Sequence, residues 1–292
     1  MSSFTIKDLE NLSGIKAHTL RIWEQRYKFL KPSRTFTNIR YYSNEELKKV
    51  LNIALLNKYG YKISHIDKMN EQDISEKILA LSQSEAVQES IVNELIRSMI
   101  DLDMQRFETT LDHFITAKGI EKSITKVIFP FLEKIGILWQ TNHINPAQEH
   151  LVSNIVRQKL IVGIEKVKPS LDAEKSVLLF LPEGEYHELG LLFVYYILKS
   201  RGVSCTYLGA CIPMKDVAYV VGLQKPDYLY CHITSNNQSF NFERFLNQSV
   251  KNFPETPLII SGFLTLSYEK KIHPPIYFKR SLEQVMEFAT TL

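Results

Sequence analysis

Cysteine is scarce. Cys205, Cys211 and Cys231 are the three in 292 residues, and no two are spaced as a CxxC pair. That set excludes a disulfide framework and a cysteine-rich zinc site, and fits reduced thiols in a cytoplasmic protein. Long apolar runs are also missing. None reaches the roughly 20 residues that a membrane-spanning helix requires, and the N-terminus lacks the pattern of a signal peptide. An excess of one charge sign is absent too, since the net charge is only +3. What is present is ordinary for a globular chain, with 45% hydrophobic and 23% charged residues. The length suggests two or three domains, the largest of them able to bury a proper core.

The small net charge is unevenly spread. Residues 1–75 carry 13 Lys/Arg against 8 Asp/Glu, whereas the remainder carries 22 against 24. A basic module on a near-neutral body points to a nucleic-acid contact at that end. Ile6, Leu9 and Leu12 predict a short amphipathic helix, Ser13-Gly14 a turn, and Ala17 to Tyr27 a second helix that buries Leu20 and Trp23. Two short helices joined by a glycine turn are the helix-turn-helix layout, whose second helix enters the major groove. Its base- and phosphate-reading candidates are Lys16, His18, Thr19, Arg21, Arg26 and Tyr27. Residues 32–43 read as a hairpin wing, with Arg34, Arg40 and Tyr41 as phosphate contacts. Ser43 and Glu46 form a capping box for a further helix with Leu47, Val50, Leu51 and Ala54 inside. Gly60 ends that helix and Ser64 starts a short one.

Taken in order, Thr5-Ile-Lys-Asp-Leu, Ser13-Gly-Ile, His18-Thr-Leu-Arg-Ile-Trp-Glu-Gln-Arg-Tyr27, Pro32-Ser-Arg-Thr35 and Arg40-Tyr-Tyr-Ser43 resemble the MerR-family DNA-binding domain. The Trp-Glu-x-Arg-Tyr form is similar to the branch whose effector domains bind cobalamin. The resemblance implies a winged helix-turn-helix over residues 1–75 and binding to double-stranded promoter DNA as a homodimer or higher homo-oligomer.

Residues 71–84 are polar and read as a linker. Helical periodicity then returns, with Ile91, Leu95 and Met99 on one helix and Met104, Phe107, Leu111 and Phe114 on a second. Ile120 to about Trp139 makes a third, kinked or broken at Pro130. Pro146 to about Val167 makes a fourth, with the proline in its first turn. Four such helices suggest a bundle over residues 76–168. The stretch from Trp139 to Glu149 and His150 resembles the W-x9-E-H signature of the helical cap in cobalamin-dependent MerR photoreceptors. There the tryptophan covers the upper cobalt ligand and the Glu-His pair lines the same face; Ile144 and Ala147 also fit the pattern. Asn142 stands where that pattern has Gly. Gln140 stands where light-sensing members carry a His, and a carboxamide is a poor cobalt ligand. Light is therefore expected to leave no bis-histidine adduct through position 140.

After residue 168, short apolar runs alternate with helical ones. Strands are expected at 177–181, 203–208, 228–233, 258–261 and, weakly, 276–278. Helices are expected at 190–201, 214–224, 240–252 and 281–290. This alternation predicts a Rossmann-like, doubly wound parallel sheet over residues 174–292, with ligands at the carboxyl ends of its strands. Glu185-Tyr-His-Glu-Leu-Gly190 falls at the first such end. A carboxylate two residues before His187 can hold one ring nitrogen and leave the other to a metal. The stretch resembles the D-x-H-x-x-G motif of cobalamin-binding domains, with Glu for Asp. The resemblance implies His187 as the lower ligand of cobalt, tuned by Glu185, with Gly190 in the same loop. Tyr207-Leu-Gly-Ala-Cys-Ile-Pro213, including Gly209, is similar to a Y-L-G-x-x-x-P motif that follows the family's second strand. Two further family positions carry different residues here. Where the family has S-x-L against the buried nucleotide tail, the best alignment puts His232-Ile-Thr234. Where it has Gly-Gly for that tail to pass, this chain has Ser261-Gly262.

The function implied is a non-enzymatic, cytoplasmic transcriptional regulator. Its effector region would bind cobalamin, as adenosylcobalamin or methylcobalamin, and so control oligomerisation and promoter binding. A second reading keeps the DNA-binding module but takes the C-terminal fold as one that has lost its ligand and serves dimerisation or another signal. A third, enzymatic reading has against it that no further catalytic domain accompanies the DNA-binding module.

Overall fold

The computed structural model describes residues 4–81, 83–140, 144–168, 173–234 and 240–292, with the side chains of residues 137–140 outside the description. The chain divides into two compact units, residues 1–155 and 156–292.

The first unit is helical. Helices α1 (Ile6–Ser13) and α2 (Ala17–Arg26) meet through Gly14, which closes α1 at φ 73° and donates its N–H to Glu10 O. Leu9, Leu12, Leu20 and Trp23 are buried between them. Strands β1 (Ser33–Arg34) and β2 (Arg40–Tyr41) pair antiparallel as a wing, and Phe4 and Tyr42 exchange two backbone hydrogen bonds of 2.8 Å at its base. Helix α3 (Asn44–Lys58) starts at the expected Ser43–Glu46 capping box and buries Leu47, Val50, Leu51 and Ala54. The next helix, α4 (Ile63–Ile66), begins one residue before the expected Ser64, because Lys62 occupies the N-cap position.

The expected linker at 71–84 is a misreading. Glu71–Leu79 form a helix, α5, which no buried residue marks. Its apolar stripe is only Ile74 and Ile78, four apart and half-buried, too short to stand out from the polar residues around it. It is also held by an Asn70–Asp73 capping box and by the Lys49–Glu71 ion pair at 3.3 Å.

Helices α6 (Ser84–Ile100) and α7 (Met104–Lys118) follow as expected. The third bundle helix is interrupted. A short α8 (Ile120–Ser123) leads into a π-helical turn at Ile124–Ile128, and α9 (Phe129–Gln140) continues beyond it. Pro130 has no N–H to donate and crowds the carbonyl four residues back. The wider turn just before it, closed by Phe129 N–H on Ile124 O, absorbs that demand. Helix α10 (Pro146–Lys166) completes the bundle.

The second unit holds five parallel strands: β3 (Ser176–Pro182), β4 (Ser204–Ile212), β5 (Tyr228–His232), β6 (Leu258–Ser261) and β7 (Ile276–Lys279). Their order is β4-β3-β5-β6-β7. Helices α11 (Leu189–Ser200), α12 (Met214–Gln224), α13 (Phe242–Asn252) and α15 (Leu282–Thr291) lie between and after the strands. A short α14 (Phe263–Ser267), unforeseen in the sequence, follows β6. Interior strand β3 is buried from Val177 to Pro182. That explains its unbroken apolar run: helices on both faces leave it no wet side. Strand β4 runs further than expected, so the Tyr207–Ile212 motif is strand rather than the loop after it. Pro213 then caps α12. The strand order places a topological switch point between β3 and β5, the position at which open α/β sheets bind ligands.

Gly262 shows how closely the chain after β6 approaches the chain after β5. Its φ is 99°, and a Cβ on it would overlap the Ile233 carbonyl. Gly262→Ala combines a left-handed backbone with an overlap that cannot relax cheaply. It should cost at least about 3 kcal/mol and lower the melting temperature by roughly 10 °C, measured by calorimetry. A change of a degree or two would refute this account.

Candidate functional sites

The first site is the basic face of the winged module. Burial of Leu20 and Trp23 fixes the roll of α2, leaving Lys16, His18, Arg21 and Arg26 exposed and Thr19 half-buried. Glu24, on the same helix, meets the wing. It accepts from Arg40 Nε at 3.1 and 2.9 Å and lies 3.7 Å from an Arg34 guanidinium nitrogen. Arg34 also donates to Asn38 Oδ1 at 2.7 Å, at the turn of the hairpin. Of the three wing candidates, then, Arg40 is half-buried and tied to α2, while Arg34 and Tyr41 are exposed. Glu24 was missed because its position on α2 gives no sequence signal of the two arginines it holds. Tyr27 closes α2 and stacks on Phe29 with centroids 5.8 Å apart. Phe36, at the wing tip, is wholly exposed.

The helical candidates lie in the first unit. Glu149 and His150 sit in the opening turns of α10. Glu149 accepts from Ser153 Oγ at 2.7 Å, His150 Nδ1 lies 3.4 Å from its other oxygen, and the His150 ring is exposed. Ile144 is buried, and Ala147 is exposed. Gln148, which the sequence did not single out, is the buried anchor. Its amide donates to Met99 O at 3.1 Å and Ile100 O at 3.3 Å, and its carbonyl accepts from Asn145 N at 2.9 Å. Trp139 and Gln140 lie on α9, but their side chains fall outside the described residues, as does Asn142 altogether.

The remaining site residues gather at the carboxyl ends of β3, β5 and β6, in the second unit. Glu185 is fully buried. One carboxylate oxygen accepts from Tyr186 N and His187 N at 2.9 Å and meets His187 Nδ1 at 2.6 Å. The other accepts from Thr234 N at 3.0 Å, so one carboxylate ties the loop after β3 to the loop after β5 across the switch point. The carboxylate fixes the tautomer with hydrogen on Nδ1, presents Nε2 as the basic nitrogen and makes the imidazole a better donor. The His187 side chain is 66% exposed, so the ring stands outward on a buried support.

Beside it, Tyr207 donates to Glu188 at 2.9 Å, and Glu188 also pairs with Arg157. Burial and that acidic partner raise the Tyr207 phenol well above its ordinary range. Gly209, at φ 94°, lies where β4 shifts register against Phe180 of β3. Gly190 opens α11, and a Cβ there would overlap the His232 ring. His232, at the end of β5, is opposite Ser261 in register; Ser261 Oγ meets His232 Nδ1 at 2.8 Å and accepts from Tyr230 Oη at 2.7 Å. Burial pulls His232 down to about 4, so it is a neutral imidazole near pH 7. The structure thus brings Glu185, His187, Gly190, His232, Ser261 and Gly262 to one end of the sheet.

Comparison with known proteins finds two family matches along the chain. Residues 4–73 match the MerR HTH family regulatory protein model, and residues 91–162 match the B12 binding domain model. The chain is 27% identical to the HTH-type transcriptional repressor CarH of Myxococcus xanthus over 274 residues, covering 91% of each. It is equally identical, over 274 residues, to the repressor CarA of the same organism, covering 91% of this chain and 89% of that one. Among solved structures, the monomethylamine corrinoid protein of Methanosarcina barkeri shares the fold. That match has a TM-score of 0.57 at 12% identity and covers 70% of this chain and 99% of that one.

Proposed function

We propose that this chain, a MerR-type regulator with a cobalamin-binding region, is a cytoplasmic promoter switch whose self-association follows its cobalamin. The described geometry fits the cofactor's metal. Cobalt of a corrin would take a protein nitrogen donor, and the exposed His187 ring with its carboxylate-bound Nδ1 would supply one. That single observation carries the reading. Bound cobalamin would supply a cobalt ion able to carry an exchangeable or light-labile group. Glu185 orients His187 and holds the proton on Nδ1. Trp139, Glu149 and His150, on the helical region, are assigned to the opposite face.

At the other end of the chain, α2 reads the major groove through His18, Thr19 and Arg21. Lys16, Arg26, Tyr27, Arg34 and Tyr41 meet phosphate and sugar, and Arg40 holds the wing in register. Residues 1–75, 76–168 and 174–292 serve as DNA-binding, cap and sheet domains. Two copies would bind a roughly palindromic site with half-sites separated by whole turns of about 10 bp. Cobalamin acts by changing which assembly is favoured, and so whether two DNA-binding modules reach one operator together. The named relatives are repressors, which supports a regulator rather than an enzyme.

The closure around His232 and Ser261 favours one alternative, a sheet domain that only dimerises. A visible spectrum of the purified protein, mixed with adenosylcobalamin and then desalted, separates the two. Retained cobalamin with the lower base displaced is the expected result. A protein that loses all colour on desalting, yet still dimerises, would establish the alternative.

A further inference from the structure

Among the described residues, side chains at the ends of β5 and β6 close on the start of α11. At the ends of β5 and β6, Tyr230, Ser261 and His232 form one hydrogen-bonded chain, with Tyr230 and Ser261 buried and the His232 ring packed onto the Cα of Gly190. Behind them Gly262 leaves no gap, since the Ile233 carbonyl lies against it. Ser261 Oγ is engaged on both sides, by a phenol and by an imidazole held neutral by burial. Moving His232 aside would strip buried polar groups of their partners, which is costly.

This matters because of how cobalamin is built. Its lower face carries a long side chain ending in a ribonucleotide whose benzimidazole ligates cobalt in the free cofactor. If the protein's imidazole takes that position, the nucleotide must go elsewhere. With cobalt on the outward ring of His187, it either enters the sheet between β5, β6 and the start of α11, or it stays outside. We infer that this chain grips the corrin ring through His187 while the nucleotide tail stays outside the sheet, so that corrinoids without the tail bind about as well as complete cobalamin. The inference rests on the corrin-binding reading above. It narrows the ligand to the ring and its upper group.

The test uses the full chain and two ligands, adenosylcobalamin and adenosylcobinamide, the latter lacking the nucleotide. Visible titration should give dissociation constants within about threefold of each other. In H232G/S261G the tail gains an entry, and cobalamin should become at least about tenfold the tighter ligand. Phosphorus NMR of the cobalamin-loaded wild type needs no variant: the tail phosphodiester should show a narrow resonance broadened by a soluble paramagnetic agent. A wild type that binds cobalamin tenfold or more tighter than cobinamide, or a phosphorus resonance shielded from the agent, overturns the inference and leaves cobalamin binding intact. Equal affinities that persist in a folded H232G/S261G would also overturn it, since His232 and Ser261 would then not be the barrier. If neither ligand binds, the corrin reading falls and this inference with it.

Discussion

Replacing His187 by alanine is expected to remove the imidazole-ligated cobalt signature and most of the cobalamin affinity. The ring projects from the surface, 66% exposed, so its loss leaves no cavity and the variant should fold. Glu185→Gln should be milder for affinity yet harder on the fold. The carboxylate faces four N–H groups, from Tyr186, His187, the His187 ring and Thr234. A carboxamide must turn its own NH2 toward one of them and leave it unpaired. Loss of such an orienting partner weakens metal binding by about 10- to 100-fold. The decisive measurement is electron paramagnetic resonance of the reduced, cobalamin-loaded protein with isotope-labelled histidine. Coupling of one histidine nitrogen to cobalt, lost in His187→Ala, is the expected result. Equal binding by His187→Ala and wild type would remove His187 from the site.

The second large effect concerns DNA. If Lys16, Arg26 and Arg34 each neutralise a phosphate, a dimer makes about six contacts. Its affinity should then fall on the order of 10^3-fold between about 50 and 200 mM salt, with a log–log slope of about 0.9 per contact. Arg40→Ala should weaken binding to all sequences alike, because Arg40 is held by Glu24 and its removal loosens the wing from α2. Changes at Thr19 or Arg21 should alter base preference instead. Competition binding across a salt series, with specific and random duplexes, measures both. Affinity that stays flat with salt would sink the phosphate-contact account.

Much of the fold was legible because its signals are local. Leu20 and Trp23, three apart on α2, and the Ser43–Glu46 box mark elements that the structure reproduces. The unbroken apolar run of β3 announced a strand buried on both faces. Helix α5 was illegible for the opposite reason: its apolar stripe is only Ile74 and Ile78, and much of its support is a cap and a surface ion pair. The pairing of Glu185 with His187 was readable from a spacing of two. The bond from Thr234 was not, because it joins positions 49 apart that only the sheet order brings together. Gln148 escaped for the same reason, since both of its acceptors lie on α6. That His232 would lean on Gly190 required knowing that β5 ends beside the start of α11.

The acids of the winged module bear on how the protein looks to DNA from a distance. Asp8, Glu46 and Asp73 are drawn back to cap helices. Glu10 pairs with Lys7 and Lys16, Glu24 with Arg34 and Arg40, Glu45 with Lys48 and Glu71 with Lys49. Asp67 accepts the backbone N–H of Lys28. A carboxylate beside a cation is a dipole to a distant observer, and a dipole's field decays one power of distance faster than that of a lone charge. Among the described residues Arg21, Arg26, Lys28, Lys31, Lys62 and Lys68 make no side-chain ion pair, and the module's surplus of cations gives it a positive field that reaches over a Debye length of about 10 Å. Arg21 and Arg26 put two of those unpaired charges on the exposed side of α2. An arriving duplex meets that field before any base is touched.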